Sequence, residues 1–393
     1  MAFGDFTVDR NSAKYVLGSG GSYVSCATDE PAFEFNSDGS YKGLLVEPAS
    51  TNQIRNGSGT GAVVGTPGTL PFFWSASAGG LTQEIVATGT ENGVAYVDIK
   101  LSGTASSNSA AIFLEATTTI SATDGETWTQ SVFLKEIDAT SNYDDIYFRA
   151  YNYTSAPAFV NTNSGSSLTV TTDLERYEST WTLSGATIAS SNPAILFFLT
   201  NGNSYDFTIR IGWAQYEESV IATSPIPTTT ASVTRNKDDI TLGSASSLIG
   251  QTEGTLYVEV DWKEASGTEQ YLLNVNNGTS SNRMLIYNTG AGDLAMLAVA
   301  NGVTLVNQGV SSSAYSGIQK IAFAYADSDF ELYRNGSSID SVSSGSLAAL
   351  ATLTQIDLGQ RVNEIQQANM HIRAAALFTR RLTDAEAQAL TTL

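Results

Sequence analysis

Hydrophobic and polar residues alternate in short runs along most of this chain. In ETWTQSVFLKEI, Trp128, Val132 and Leu134 fall on one face and Thr129, Ser131 and Lys135 on the other. IYFRAY sets Ile146, Phe148 and Ala150 against Tyr147, Arg149 and Tyr151. YESTWTL groups Tyr177, Ser179, Trp181 and Leu183, and FTIRIGW groups Phe207, Ile209, Ile211 and Trp213. A period of two is the signature of half-buried strands, and turn clusters such as SATDGE and TNSGSS separate the runs.

The pattern returns beyond residue 240 in TLYVEVDW, YLLNV, MLIYN, LAMLAV, KIAFAYA, FELYRNGSSIDSV, TQIDLG and MHIRAAALF. RNGS at 334–337 predicts a tight type I′ hairpin. Thr383 and Glu386 have capping-box spacing and predict a short terminal helix. Before residue 55 there are only short extended pieces, with NSDGS as a hairpin turn. The stretch IATSPIPTTTASVTRNKDD, 221–239, carries Pro225 and Pro227 and reads as a linker. Its VTRN echoes VDRN at 8–11.

The predicted fold is therefore all-β. Two tandem antiparallel β-sandwiches span 56–220 and 240–393, with an N-terminal extended or hairpin arm over 1–55, a linker over 221–239 and a short C-terminal helix.

Composition supports this division. The 393 residues are too many for one ordinary domain, and 42% are apolar, enough to build a core in each part. The formal charge of −20 argues against nucleic acid and anionic membranes as partners. The one cysteine, Cys26, cannot make an internal disulfide and suits a reducing cytosol, and His371 is the one histidine. No signal peptide is visible at the N-terminus, and no apolar run approaches the length of a membrane span.

Two segments bring in a known family. GLLVEPASTNQIRNG, 43–57, is similar to a segment near the start of many bacteriophage and prophage virion proteins. SPIPTTTASVTRNKDD resembles the linker of the same proteins. GTLYVEVDW, KIAFAYADSDFELYRNGSSI and HIRAAALFTRRLTDAEAQALT resemble a concanavalin A/laminin G-like sandwich. GETWTQSVFLKE and YDFTIRIGWAQYEE resemble a carbohydrate-binding-module-like jelly roll.

The resemblance implies a non-enzymatic structural protein on the virion surface, synthesised in the bacterial host cytoplasm. It would be a tail fibre or receptor-binding protein adhering to host-surface carbohydrate. Its partners would be other virion proteins and a host-surface glycan, and it would be a homo-oligomer, a trimer if it is a fibre. A capsid-decorating or head-fibre protein that binds other virion proteins is the structural alternative.

The residues offer three candidate chemistries. NYDDIYFRAYNY mixes flat aromatic faces with planar polar groups, as sugar sites require, so Tyr143, Asp144, Tyr147, Arg149, Tyr151, Asn152 and Tyr153 are the candidate glycan contacts. EVDWKE places Glu259, Asp261 and Glu264 together, as on the catalytic strand of some retaining glycosidases. A regular strand, however, sends Glu259 and Glu264 to opposite faces, whereas a retaining pair must converge to ~5–5.5 Å. The bland alternative is a solvated strand face. His371 shares a face with Arg373 and reads as a surface or interface histidine, since no G-x-S-x-G elbow accompanies it. No cofactor is expected. Structural calcium is an open expectation at the acid-rich loops Asp144–Asp145, Asp238–Asp239 and Asp327–Asp329, none with EF-hand spacing.

Overall fold

The computed structural model describes residues 5–116, 119–138, 142–262, 269–310, 317–362 and 367–393. The chain is all-β, with several antiparallel sheets and one short helix near the C-terminus. It divides into two compact units.

The first unit comprises Ser50–Arg235 with Ser22–Val24. Its core lies between two five-stranded sheets. One sheet runs Phe159–Ser164, Asp145–Tyr153, Ser190–Phe198, Ser109–Phe113, Ser75–Ser77. The other runs Glu175–Thr182, Thr127–Glu136, Ser204–Glu218, Val94–Thr104, Thr82–Glu91. Alternation delivers the expected residues inward: Trp128, Val132 and Leu134 meet Ile146, Phe148, Ala150, Trp181, Phe207, Ile209 and Ile211.

Trp213 departs from that reading. It was grouped with Phe207, Ile209 and Ile211, but its ring lies on the opposite face, edge-on to Phe133 at 6.1 Å and Tyr23 at 5.8 Å. The cause is a bulge. Ser131 pairs with Gln215 but Phe133 pairs with Gly212, so one extra residue is accommodated opposite Val132. Trp213 takes a φ of 32°, and after it Ala214 and Tyr216 point into the core.

The second unit is made of two chain segments, residues 1–21 with 25–49, and 236–393. Residues 1–55, expected as an N-terminal extended or hairpin arm, are shared between the two units, with the change at about 49. Thr7–Asp9 pairs with Asp239–Leu242 and becomes the edge of one seven-stranded sheet. The hairpin Phe33–Phe35/Tyr41–Val46, turning through NSDGS, extends the other seven-stranded sheet beside Met370–Phe378. Between the sheets, Leu256, Val258, Val260 and Trp262 pack with Leu44, Val46, Phe323 and Ile372.

The RNGS turn has Asn335 and Gly336 at φ 47° and 84°, as a type I′ hairpin demands. The helix Asp384–Thr391 starts with the predicted capping box from Thr383 and Glu386. Its Ala387, with Leu382 just before it, packs on Tyr257, Ala322, Ala324 and Tyr333.

Four buried charges join the two segments of this unit. Lys14 Nζ lies 2.6 Å from Asp238 Oδ2 and 3.0 Å from Glu47 Oε2, and Arg10 Nη1 lies 2.9 Å from Asp238 Oδ1. All four side chains are at most 1% exposed. The remaining donors are absorbed by backbone carbonyls: Lys14 donates to Leu45 O, and Arg10 to Ser12 O and Ala27 O. Two positive and two negative charges balance, which buried ions require.

Candidate functional site

The Asp145–Tyr153 strand buries Ile146, Phe148 and Ala150, so Tyr147, Arg149, Tyr151 and Tyr153 project from the other face of their sheet. Cross-strand register adds aromatic neighbours there. Tyr147 meets Phe198 edge-on at 5.2 Å, Tyr151 meets Phe113 at 5.1 Å, and Tyr153 meets Phe159 at 6.1 Å. The Arg149 guanidinium sits 5.6 Å from the Phe198 ring centre, and its Nε donates to Ser164 Oγ at 2.8 Å.

Phe159 is 60% exposed, too open for a core residue, so aromatic surface is presented to solvent. Tyr147 donates its hydroxyl to Asp145 Oδ2 at 2.5 Å. Hydrogen bonds from Ser167 and Tyr147 hold the Asp145 carboxyl below its ordinary range, and the same bond pushes Tyr147 up. The result is a face of flat apolar rings with one cation and several hydroxyls. This combination suits the stacking and hydrogen bonding of a sugar ring.

The other three candidates from the same stretch do not reach that face. Tyr143 packs edge-on to Phe197 at 5.6 Å and Phe207 at 5.2 Å, and donates to Glu136. Burial, then the bond to Glu136, raises its pKa. Asp144 accepts from Thr200 Oγ1 at 2.7 Å and from Tyr205 at 3.0 Å, which ties a turn. Asn152 is fully buried and donates to Asn161 and Asn163 at 2.7 and 2.8 Å. Sequence reasoning missed Phe113, Phe159 and Phe198. Their own runs contain no cue to the neighbouring strand, so only the sheet order brings them in.

In EVDWKE, Glu264 lies outside the described residues. Glu259 and Asp261 share the face opposite Trp262, as strand parity requires. Glu259 Oε1 accepts from Arg373 Nε at 2.8 Å, and Tyr257 reaches Oε2 at 3.5 Å. Burial pushes the Tyr257 hydroxyl up to about 12.

His371, read as a surface histidine, is instead fully buried, with Nε2 2.5 Å from Glu34 Oε2. The N-terminal hairpin covers it. His371 pairs with Leu45, and a Cβ on Gly43 would stand 2.7 Å from the His371 Cβ.

The acid-rich loops are engaged by the protein's own donors. Asp238 binds Arg10 and Lys14, Asp239 accepts from Gln360, Asp327 caps Leu347 N at 2.8 Å, and Asp329 pairs with Arg381 at 2.8 Å. Among the described residues, no group of three or more His, Cys, Asp or Glu is placed to hold a metal ion.

No protein-family model matches the chain, and no curated protein matches it. Among solved structures it is similar to the CBM40 of the Ruminococcus gnavus IT-sialidase, at 17% identity and TM-score 0.33, over 37% of this chain and 86% of that one. It is also similar to the binding domain of botulinum neurotoxin DC in complex with rat synaptotagmin II, at 13% identity and TM-score 0.34, over 40% of each chain. A third is the native heptameric SAP-like pentraxin from Limulus polyphemus, at 14% identity and TM-score 0.30, over 36% of this chain and 70% of that one.

Proposed function

We propose that this chain is a non-catalytic carbohydrate-binding protein displayed on the outside of a bacteriophage particle, where it adheres to host-surface glycan. The observation that carries the binding reading is the outward aromatic face of the Asp145–Tyr153 sheet, with Tyr147, Tyr151 and Tyr153 joined by Phe113, Phe159 and Phe198 around Arg149. The virion setting rests on the resemblance of GLLVEPASTNQIRNG and SPIPTTTASVTRNKDD to virion proteins. Each contact would be weak. A homo-oligomer, a trimer in a fibre, multiplies such contacts, and linked sites raise avidity by ~10²–10⁴.

The test is a bacterial-surface glycan array followed by titration of the best ligand. Each aromatic contact contributes ~0.5–1.5 kcal/mol, so Tyr147→Ala and Tyr151→Ala should each weaken binding by roughly 3–10-fold. These side chains lie outside the core, so both variants should fold. An array without signal, or variants that bind like wild type, would sink the reading. Electron cryo-microscopy of the particle tests the setting, with density expected at the tail.

A further inference from the structure

Lys14 is an amine held out of water against two carboxylates. Its Nζ lies 2.6 Å from Asp238 Oδ2 and 3.0 Å from Glu47 Oε2, and none of the three side chains is more than 1% exposed. An ion pair is one outcome of such a contact. Condensation is the other, in which ammonium and carboxylate become an amide and a water. In bulk solvent the two groups seldom meet and water favours the separate ions. The fold removes both obstacles. Well-oriented groups react with effective molarities of ~10⁵–10⁸ M, and a closed site keeps out the water that would reverse the step.

The surrounding groups are placed for that reaction. A carboxyl C–O bond of ~1.2 Å puts Asp238 Cγ at most ~3.8 Å from Nζ, beside the ~3–3.5 Å of a near-attack contact. Leu45 O accepts from Nζ at 2.8 Å and fixes the nitrogen. Arg10 Nη1 lies 2.9 Å from Asp238 Oδ1, where negative charge would develop once nitrogen adds to Cγ. Ser12 O and Ala27 O hold that guanidinium in place. Glu47 is within reach of the proton the ammonium must lose, and its own backbone N–H donates to Asp238 Oδ2 at 2.9 Å.

We propose that Lys14 Nζ and Asp238 Cγ join in an intramolecular amide bond, formed by the chain itself with Glu47 as proton carrier and Arg10 as the partner of the oxyanion. The ion network described above is the state before the bond closes. Glu47 takes a proton from the ammonium, the freed amine adds to Cγ, and Oδ1 carries the charge beside Arg10. Glu47 then returns its proton to Oδ2, the Cγ–Oδ2 bond breaks, and Oδ2 leaves as water with the second nitrogen proton. Glu47 ends ionised, and no oxidant, reductant or cofactor is consumed. Four buried ions become two, which lowers the desolvation penalty of the site. The bond links positions 224 residues apart and ties the two segments of their unit covalently. Substituting Lys14 or Glu47 forfeits the bond as well as the ionic contacts.

Intact mass spectrometry of the denatured full chain tests this. The wild type should be lighter than its sequence by one water. A tryptic map should show residues 11–42, uncut at Lys14, joined to residues 238–263. The map is decisive, because a succinimide at Asp38–Gly39 or Asp124–Gly125 would also lose water. Lys14→Arg keeps the cation without the amine and should have its full sequence mass. Glu47→Gln keeps the side-chain volume and should cut the linked fraction at least tenfold. A wild type at full sequence mass, a water loss that maps elsewhere, or undiminished linking in Glu47→Gln would each overturn the proposal. The wild-type map decides the bond even where a variant fails to fold.

Discussion

Lys14→Met is the sharpest perturbation this fold offers. The ammonium is the shared partner of Glu47 and Asp238, at 3.0 and 2.6 Å, and all three side chains are out of solvent. Its removal leaves two carboxylates facing the single guanidinium of Arg10. Breaking a buried pair by deleting one partner costs about 3–5 kcal/mol. Against a domain stability of about 5–15 kcal/mol, that is a fifth or more. Glu47→Leu alone leaves the opposite imbalance and should cost a similar amount.

Removing both, Lys14→Met with Glu47→Leu, restores neutrality around the Arg10–Asp238 pair and should cost only about 2–4 kcal/mol. The double variant is then roughly 5 kcal/mol less destabilised than the sum of the singles, which is about 6–10 kcal/mol. Urea unfolding of the wild type, two singles and the double gives the cycle. Hydrogen exchange of the Thr7–Asp9 and Asp239–Leu242 amides assigns the loss to the two-segment unit. Additive singles, with coupling under about 0.5 kcal/mol, would refute the charge-balance argument.

Three further outcomes are expected. Burial pushes Asp357 up to about 6, so the folded state holds this proton more tightly than the unfolded chain does. This group's contribution to stability therefore falls as pH rises from about 4 to 6, by roughly 2–3 kcal/mol, and the difference between wild-type and Asp357→Asn unfolding curves across that window measures it. Thr383→Ala removes the capping box and should cost about 1 kcal/mol, read as a lowered unfolding midpoint, with the Tyr333–Asp384 bond of 2.8 Å limiting the damage. Glu259→Gln breaks a partly buried pair with Arg373 and should cost about 1 kcal/mol. Loss of a reducing-sugar-releasing activity in that variant would contradict the structural role given to Glu259.

Alternation carries most of what the sequence makes legible. The inward and outward sets of the Asp145–Tyr153 and Gly254–Trp262 strands follow from residue parity alone, as does the split between Tyr147, Arg149 and Tyr151 and the core. The hairpin at Asn335–Gly336 and the Thr383 cap follow from local chemistry. Parity fails at Trp213 because a bulge inserts one residue, and no local residue type announces it. His371 is misread for a different reason: its cover is the Tyr41–Val46 strand, over 300 residues earlier. The aromatic face was half visible for the same cause. Four members lie on one strand, while Phe113, Phe159 and Phe198 come from strands placed beside it by sheet order.

The two-segment construction sets a timetable for synthesis. The Tyr41–Val46 strand leaves the ribosome long before its partner Met370–Phe378 is made. At about 5–20 residues per second the wait is roughly 15–65 s. During it Leu44, Leu45 and Val46, all nearly unexposed in the finished fold, have no sheet to join, an invitation to mispairing with other nascent chains. Residues 50–235 meet almost all their partners among themselves and can fold in that interval. The two segments of the other unit are therefore the last parts to be reconciled, and a translation stall between about residues 240 and 370 would release a chain with one folded sandwich and an open, adhesive Tyr41–Val46 strand.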